Sequence, residues 1–251
     1  MQIVSQEQIG DRAVVRLNKP SRLNALSTED LAALADAIRS ADAAAPSVIV
    51  LEGEGRAFCT GADLSGTVDA ETVVVAARVV RAIAEARAVT IARVQGPAAG
   101  VGASIALACD LVVASEAAFF LMPFLPIGLV PDGGATRTLV ELVGRVRATR
   151  MVLGGERIPA AQAADWGLIA EAVPEHALDE RVGFYADRIL DAPQSAAYAS
   201  KRLLRDAAEG TLERSLDAEL AVQGALLDSP EYALAREAFL AKRSLTFRRP
   251  D

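Results

Sequence analysis

An apolar segment that ends in a glycine-containing loop and then leads into a helical pattern occurs twice in the first half of the chain. The first unit has a predicted strand at residues 47–52 and a loop at 53–66; the second has a strand at 89–94 and a loop at 96–102. This alternation predicts an α/β core with parallel strand pairing. Ligand sites of such cores lie at the carboxyl ends of strands, where both loops begin.

The segment after Gly154 differs, because helical periodicity dominates it. The predicted helices cover residues 159–166, 175–190, 193–208, 212–227 and 230–243. We therefore predict two regions. Residues 1–190 form the core, and residues 191–251 form a helical region that serves assembly and closes the site.

Charge and composition narrow the classes of function. The net charge of −7 leaves no basic excess to neutralise nucleic-acid phosphates. No apolar run approaches the roughly 20 residues that cross a bilayer, and the amino-terminal sequence lacks a signal-peptide pattern. We expect a cytoplasmic protein without membrane or nucleic-acid partners. Cys59 and Cys109 are expected to be buried reduced thiols and His176 a solvated side chain, so no metal site is expected.

The two glycine loops have the composition of an oxyanion hole. Small residues around Gly61 let the backbone approach a ligand closely. The second loop opens a helix, whose first N–H groups have no intrahelical partner and carry the positive end of the dipole. Taken alone, Gly100 and Gly102 are equally compatible with a tight turn between strand and helix. The longer glycine fingerprint of a dinucleotide site is incomplete.

Five segments, in order along the chain, form a combined signature. They are N-K-P with L-N-A-L at residues 18–26, A-F-C-T-G-A-D-L at 57–64, V-Q-G-P-A-A-G-V-G-A-S-I-A-L-A-C-D at 94–110, G-L-V-P-D-G-G at 128–134 and A-A-Q-A-A-D-W-G-L at 160–168. With them the chain resembles the crotonase superfamily, the enoyl-CoA hydratase/isomerase family, over essentially its whole length. The resemblance implies a ββα-spiral core that binds acyl-CoA and an α-helical trimerisation region. It also implies a homotrimer or dimer of trimers, and a coenzyme A thioester as substrate with no permanently bound cofactor.

The resemblance also implies roles for individual residues. The oxyanion donors would be the backbone N–H groups of Ala62 and Val101. Val101 stands where the family often has glycine, and the donor survives if the local dihedral angles suit a β-branched residue. The expected contacts to coenzyme A are Ser21, Arg22, Leu23, Ala25, Ala62, Asp63, Leu64, Phe239 and Lys242. For Lys242, a solvated helix face is the alternative.

The acid/base residues depart from the hydratase pattern. Hydratases of the family use two glutamates, and the matching positions here are Ser104 and Phe124. Neither side chain can activate water as a carboxylate does. Asp132 is the remaining carboxylate, at a position where isomerases of the family carry an acidic residue. The resemblance thus implies that Asp132 moves a proton between two substrate carbons, inside a pocket lined by Phe124 that raises its pKa.

Several of these polar residues also have a purely structural interpretation. Asp132 precedes a predicted helix and could cap it. Ser104 could bond the enolate or only pack between helices. Arg137 and Glu141 fit a surface ion pair, and Asp63 fits local bonds that organise its loop.

Three hypotheses follow. The leading one is an enoyl-CoA isomerase, acting on a double bond or a ring epoxide, with Asp132 as its single acid/base. The second is a hydratase with atypical water activation. The third is an acyl-CoA-binding protein that has lost its acid/base pair.

Overall fold

The computed structural model describes residues 3–208 and 210–248. Its strands are β1 (Val4–Ile9), β2 (Arg12–Leu17), β3 (Val48–Gly53), β4 (Val89–Val94), β5 (Ala98–Ala99), β6 (Leu111–Ser115), β7 (Phe119–Leu121), β8 (Ile158–Pro159) and β9 (Glu171–Val173). Its α-helices are α1 (Thr28–Ala43), α2 (Ala70–Glu85), α3 (Val101–Ala108), α4 (Ala135–Val152), α5 (Ala160–Asp165), α6 (Leu178–Leu190), α7 (Gln194–Ala207), α8 (Leu212–Leu227) and α9 (Pro230–Leu240). The predicted α/β class and helical carboxyl-terminal region are confirmed. Residues 1, 2, 209 and 249–251 of the two predicted regions lie outside the described residues.

Parallel pairing dominates the larger sheet of the described chain, which has the strand order β1-β2-β3-β4-β6-β9. β1 runs antiparallel to β2, and the later neighbouring pairs are parallel. α1, α2 and α3 lie in the crossovers from β2 to β3, from β3 to β4 and from β4 to β6. The carboxyl ends of β3 and β4 therefore meet at one edge, and both glycine loops leave from it. A smaller sheet has the order β5-β7-β8.

Helices cover both faces of the larger sheet at its inner strands, which carry apolar residues on both sides. Ile49 and Leu51 of β3 belong to the core cluster that includes α1, α2 and α3. Val48 and Val50 belong to the cluster built with α6. Successive side chains of a strand point to opposite faces, so this alternation places β3 between two helical layers.

Local sequence explains where several elements begin. Ser27 caps α1 and forms a capping box with Asp30. The helix predicted to begin at residue 159 begins one residue later, because Pro159 pairs in β8. The helix predicted to begin at residue 175 begins at Leu178, since a 3-10 turn at Glu175–Ala177 comes first.

A buried charge network joins α7 to the sheet. Lys201 Nζ donates to the Ala88 carbonyl (2.7 Å) and lies 2.9 Å from an Asp110 carboxylate oxygen. Arg205 donates to the other Asp110 oxygen (2.8 Å), and Thr90 N–H donates to Asp110 at 2.8 Å.

The boundary predicted at residues 190 and 191 falls between α6 and α7; a division into two domains there stays a prediction. Among the described residues, no helix has the length and apolar character needed to cross a membrane.

Candidate active site

The first glycine loop fixes the backbone N–H group of Ala62, which makes no hydrogen bond to the protein among the described residues. Leu26 lies beside this loop: its N–H donates to the Gly61 carbonyl (2.9 Å), and its own carbonyl accepts from Asp63 N–H (2.8 Å). Between these two bonds lies Ala62, whose N–H donates to no protein acceptor within the described residues. A fixed but unpaired N–H is available to an oxygen atom of a ligand.

The second loop supplies another such donor at the start of α3. Gly100 has φ +54°, which L side chains rarely adopt, and its N–H donates to the Leu121 carbonyl (3.0 Å). The positive φ thus falls on Gly100 and not on Val101, the first residue of α3. In the described chain, Val101 N–H donates to no protein acceptor, and it lies at the positive end of the helix dipole.

Backbone pairing brings the two loops together. Cys59 N–H donates to the Pro97 carbonyl (3.2 Å), and Ala99 N–H donates to the Cys59 carbonyl (2.9 Å). The glycines that precede the two donors are neighbours, since a Cβ atom on Gly61 would lie 3.7 Å from Gly100 Cα. The unpaired N–H groups of Ala62 and Val101 therefore belong to one small region, as an oxyanion hole requires.

Asp132 lies on the turn before α4. The helix is capped by Gly134 without a side-chain bond, so the alternative role of Asp132 as a helix cap is not seen. Among the described residues, Asp132 Oδ1 is buried and meets no hydrogen-bond donor. Burial raises the pKa of Asp132, and its own backbone N–H offsets this only in part. A carboxyl group in this state is a better proton acceptor at neutral pH than an ordinary aspartate.

Phe124 lies between Asp132 and the oxyanion loops in sequence and beside Gly100 in space. Its Cζ atom is 3.9 Å from the position of a Cβ on Gly100, and the side chain is buried. Leu125 and Leu129 after it are exposed, whereas Met122 before it is fully buried in the core. The wall next to the second donor is thus aromatic and apolar.

The segment expected to contact coenzyme A is fixed against the first glycine loop. Pro20–Arg22 is a 3-10 turn, and Leu23 follows it with φ +53°. The Leu23 carbonyl accepts from Thr60 N–H (3.2 Å), and the Asn24 side chain donates to the Ala57 carbonyl (2.8 Å). Of the expected contact residues here, Ser21 and Arg22 are exposed, and Leu23 and Ala25 are partly buried.

Asp63 organises its loop, as its local bonding pattern predicted. Its carboxylate accepts from the backbone N–H of Ser65 (3.1 Å) and from the Ser65 hydroxyl (2.6 Å), and it lies 3.3 Å from Lys19 Nζ. The Ser65 bonds, followed by the Lys19 contact, lower the pKa of Asp63 to about 2. Leu64, beside it, is exposed. Arg22 donates to Ser65 Oγ (2.9 Å), so the two expected coenzyme A segments touch.

Known proteins match this chain along nearly its full length. The family model described as enoyl-CoA hydratase/isomerase matches residues 9–250. The chain belongs to the enoyl-CoA hydratase/isomerase family. This confirms the crotonase resemblance and identifies an enzyme that acts on coenzyme A thioesters.

Relatives of this family member carry both activities in their names. It is 37% identical over 237 residues to a Rhodobacter capsulatus protein named probable enoyl-CoA hydratase, with 92% of each chain covered. It is 34% identical over 242 residues to 1,2-epoxyphenylacetyl-CoA isomerase of Escherichia coli, again with 92% of each covered. Among solved structures, enoyl-CoA hydratase subunit I from Geobacillus kaustophilus matches with a TM-score of 0.92 and 31% identity over 98% of both chains.

The carboxyl-terminal residues expected to cover coenzyme A lie at the end of α9 and just after it. Phe239 is 81% exposed, and Lys242, just after α9, is exposed with φ +52°. α9 packs against α8. Their contact with a ligand, in this chain or from a neighbouring copy, stays a prediction.

Two polar contacts that shape the site, one made by Gln95 and one by Ser104, were not predicted from the sequence. Gln95 Nε2 donates to the carbonyls of Gly53 (2.7 Å) and Ala57 (2.8 Å), which anchors the first loop to the second. Ser104 Oγ lies 3.0 Å from the Asp132 carbonyl oxygen, a contact that joins α3 to the turn before α4. Gln95 directly precedes Gly96 of the second loop, and this position could have indicated its role. The Ser104 contact joins residues 28 positions apart and has no local sequence pattern.

Among the described residues, no cluster of three or more histidine, cysteine or acidic side chains is arranged to hold a metal.

Proposed function

We propose that this family member is an enoyl-CoA isomerase, which shifts a double bond or opens a ring epoxide with Asp132 as its single acid/base. The observation that carries the proposal is the Asp132 carboxyl group, whose Oδ1 is buried without a protein partner among the described residues. It sits on a turn that is bonded to α3, the helix that presents the Val101 donor.

The proposed double-bond shift needs one base and one oxyanion hole. An Asp132 carboxylate oxygen takes a proton from a carbon activated by the thioester, and the C–H electron pair becomes the new C=C bond of a dienolate. The thioester oxygen takes the negative charge and accepts from the N–H groups of Ala62 and Val101. The Asp132 carboxyl then returns the proton to a different carbon, and the C=O bond re-forms. Each such backbone donor is worth about 10²–10³ in rate.

The residues beside Asp132 support isomerisation over hydration. Addition of water needs a second group that holds and activates the water molecule. Ser104, at one glutamate position, has its hydroxyl against main-chain carbonyl oxygens, and Phe124, at the other, is apolar. The hydratase alternative is favoured by relatives such as 2,3-dehydroadipyl-CoA hydratase of Escherichia coli, 32% identical over 251 residues. The binding-only alternative is favoured by the loss of both glutamates.

The face of α2 that lies against the Asp132 turn favours a substrate with an uncharged acyl group. Val80 Cγ2 of α2 is 3.5 Å from the position of a Cβ on Gly133. Val73 and Ala77 precede Val80 by seven and three residues, so they continue the same helix face. Arg78 of α2 turns away to Asp36 of α1 (3.4 Å). We therefore propose an apolar acyl group over one that ends in a carboxylate.

Assembly and coenzyme A binding complete the proposal. The carboxyl-terminal helices expose large apolar side chains that a single chain leaves uncovered: Leu204, Leu212, Leu216, Leu220, Leu227, Leu234, Phe239 and Leu240. Such a surface supports a homotrimer or dimer of trimers. The coenzyme A thioester enters as substrate, held by the Ser21–Ala25 and Ala62–Leu64 segments, with no permanently bound cofactor.

Substitution of Asp132 by Asn tests the proposed function. Purified parent, Asp132→Asn and a matched control, Asp165→Asn on an exposed helix end, are assayed with 3-enoyl-CoA, with a ring epoxide of an aryl-acetyl-CoA and with crotonyl-CoA. We expect the parent and the control to isomerise, and Asp132→Asn to lose about 10²–10⁴ in rate while it still binds acyl-CoA. Unchanged isomerisation by the folded variant would overturn the proposal. Hydration alone would favour a hydratase, and binding without turnover would favour the binding-only role.

A further inference from the structure

The main chain at Asp132 is held in place without any use of its carboxyl group. The Asp132 carbonyl oxygen is 3.0 Å from Ser104 Oγ and also accepts from Ala135 N–H (3.1 Å). A carbonyl oxygen has two lone pairs, and both are directed at donors here. The carboxyl group of the same residue has a buried oxygen that meets no donor among the described residues. The backbone is thus fixed while the side chain is left for a ligand.

Ser104 has little freedom to do anything else. It is 2% exposed, in the middle of α3. Its hydroxyl is 3.3 Å from the Gly100 carbonyl, the local bond that serine commonly makes inside a helix, and 3.0 Å from the Asp132 carbonyl. Because a hydroxyl has one hydrogen, it donates to one of them at a time, and the shorter contact is the tertiary one.

Packing supports the same contact. A Cβ atom on Gly133 would lie 3.0 Å from Ser104 Cβ and 3.5 Å from Val80 Cγ2, and Gly133 has φ +58°. The turn after Asp132 therefore rests directly on Ser104, with no room for a side chain between them. Gly100, whose carbonyl is the other acceptor of Ser104, immediately precedes the Val101 donor.

We propose that Ser104 is a positioning residue, whose hydroxyl fixes the Asp132 main chain to α3 and so sets the separation between the carboxyl base and the oxyanion donor of Val101. This inference rests on the proposed function of Asp132. It also gives the serine a role in place of the glutamate that hydratases carry there: the site keeps one base and uses the second position to hold it. Displacement of a catalytic group by about 1 Å costs up to about 10² in rate.

The test compares Ser104→Ala with Ser115→Ala. Ser115 is also fully buried, and its Oγ accepts from Ala117 N–H (3.2 Å) at the end of β6. For Ser104→Ala we expect kcat for isomerisation to fall about tenfold with KM within about twofold. We also expect the acid limb of the kcat profile to move to lower pH, because a looser turn admits water to the carboxyl group. Ser115→Ala should leave kcat, KM and the pH profile unchanged.

The outcomes separate this inference from the proposed function. Parent-like kcat and pH profile in Ser104→Ala would overturn the positioning role, as would a fall in kcat with an unmoved acid limb and a matching loss of thermal stability. If Asp132→Asn keeps full turnover, the proposed function itself fails. Loss of turnover in Asp132→Asn with an unaffected Ser104→Ala removes only the positioning role.

Discussion

The two oxyanion loops and the Asp132 turn are built by opposite means. In the loops, both donors are backbone N–H groups, and backbone atoms pack so closely that a Cβ on Gly102 would lie 2.3 Å from the Cys59 carbonyl oxygen. In the turn, the proposed base is one side chain, that of Asp132. Gly128 and Gly134 both have positive φ there, and a Cβ on either would meet nothing within 4 Å. One region is rigid and insensitive to sequence at its donors. The other is held at Asp132 and Gly133 by contact with Ser104, has open space at Gly128 and Gly134, and depends on a single residue for its proposed base.

This difference explains why the family fold and the reaction are separable. A backbone donor does not depend on the side chain of its residue: Val101 stands where the family often has glycine, and its N–H still donates to no protein acceptor among the described residues. A base made of one carboxyl group can be lost, moved or replaced without disturbance to the loops. In the proposed function, the fold thus provides the donors that stabilise an enolate, and the turn provides the base that moves its proton.

Substitution of Gly102 by Ala should have the largest effect, because it breaks the rigid region. The new Cβ would lie 2.3 Å from the Cys59 carbonyl oxygen and 2.8 Å from Cys59 Cβ. We expect a loss of about 3 kcal/mol in the free energy of unfolding and no measurable turnover. Gly183→Ala in α6, where a Cβ meets nothing within 4 Å, is the control and should gain about 0.5–1 kcal/mol. Urea unfolding of both variants measures the difference, and a parent-like Gly102→Ala would show that the loops are not rigid.

The pH dependence of turnover should show the next largest effect, because it depends on the ionisation of the Asp132 carboxyl group in the turn. Burial raises the pKa of Asp132, and the reaction needs the ionised form, so kcat/KM should fall as the pH is lowered through a value above the ordinary aspartate pKa of about 3.9. A raised carboxyl pKa also means that the folded protein binds this proton more tightly than the unfolded chain. The group therefore destabilises the folded state above its pKa, and the cost disappears as the pH falls.

Asp132→Asn should then be at least as stable as the parent at pH 7 and lose this advantage at low pH. Thermal unfolding from pH 4 to pH 8 measures it, beside parent rate profiles over the same range. A variant that is less stable than the parent at pH 7 would contradict the assignment of Asp132 as a partly buried base with one unpaired oxygen among the described residues.

The sequence predicted the rigid region far better than the open one. Small residues and glycines at the ends of two strands predict close backbone approach, so the loops and the local bonds of Asp63 could be predicted from nearby residues. The contact of Ser104 with the Asp132 carbonyl could not, because it depends on how α3 and the turn before α4 pack. The network of Asp110, Lys201 and Arg205 was missed for the same reason: its residues are about 90 positions apart and meet only after folding.

Removal of one backbone donor should have a smaller effect than loss of the base. Val101 is the first residue of α3, a position where proline is well tolerated because the N–H has no helical partner. Val101→Pro therefore deletes the proposed oxyanion donor with little change to the helix, and we expect kcat to fall about 10²–10³-fold. Val101→Ala keeps the N–H and loses only buried methyl groups. It should lose about 2 kcal/mol of stability but keep kcat within a few-fold. Equal kcat values for the two variants would show that the Val101 N–H is not an oxyanion donor.

Substitution of Gly134 by Ala should have the smallest effect, and it probes whether strain at the open end of the turn reaches Asp132. Gly134 caps α4 with φ +75°, and a Cβ there meets nothing within 4 Å, so the cost is backbone strain of about 1–2 kcal/mol without a clash. Gly155 is a matched control between α4 and β8, with φ +60° and equally open space. Both variants should lose similar stability by urea unfolding. Only Gly134→Ala should reduce kcat, by about tenfold, because the strain lies two residues from the Asp132 carboxyl group. If both variants keep parent kcat, the turn tolerates strain without movement of its base, and the contrast between a rigid hole and a turn that is open at Gly134 no longer holds.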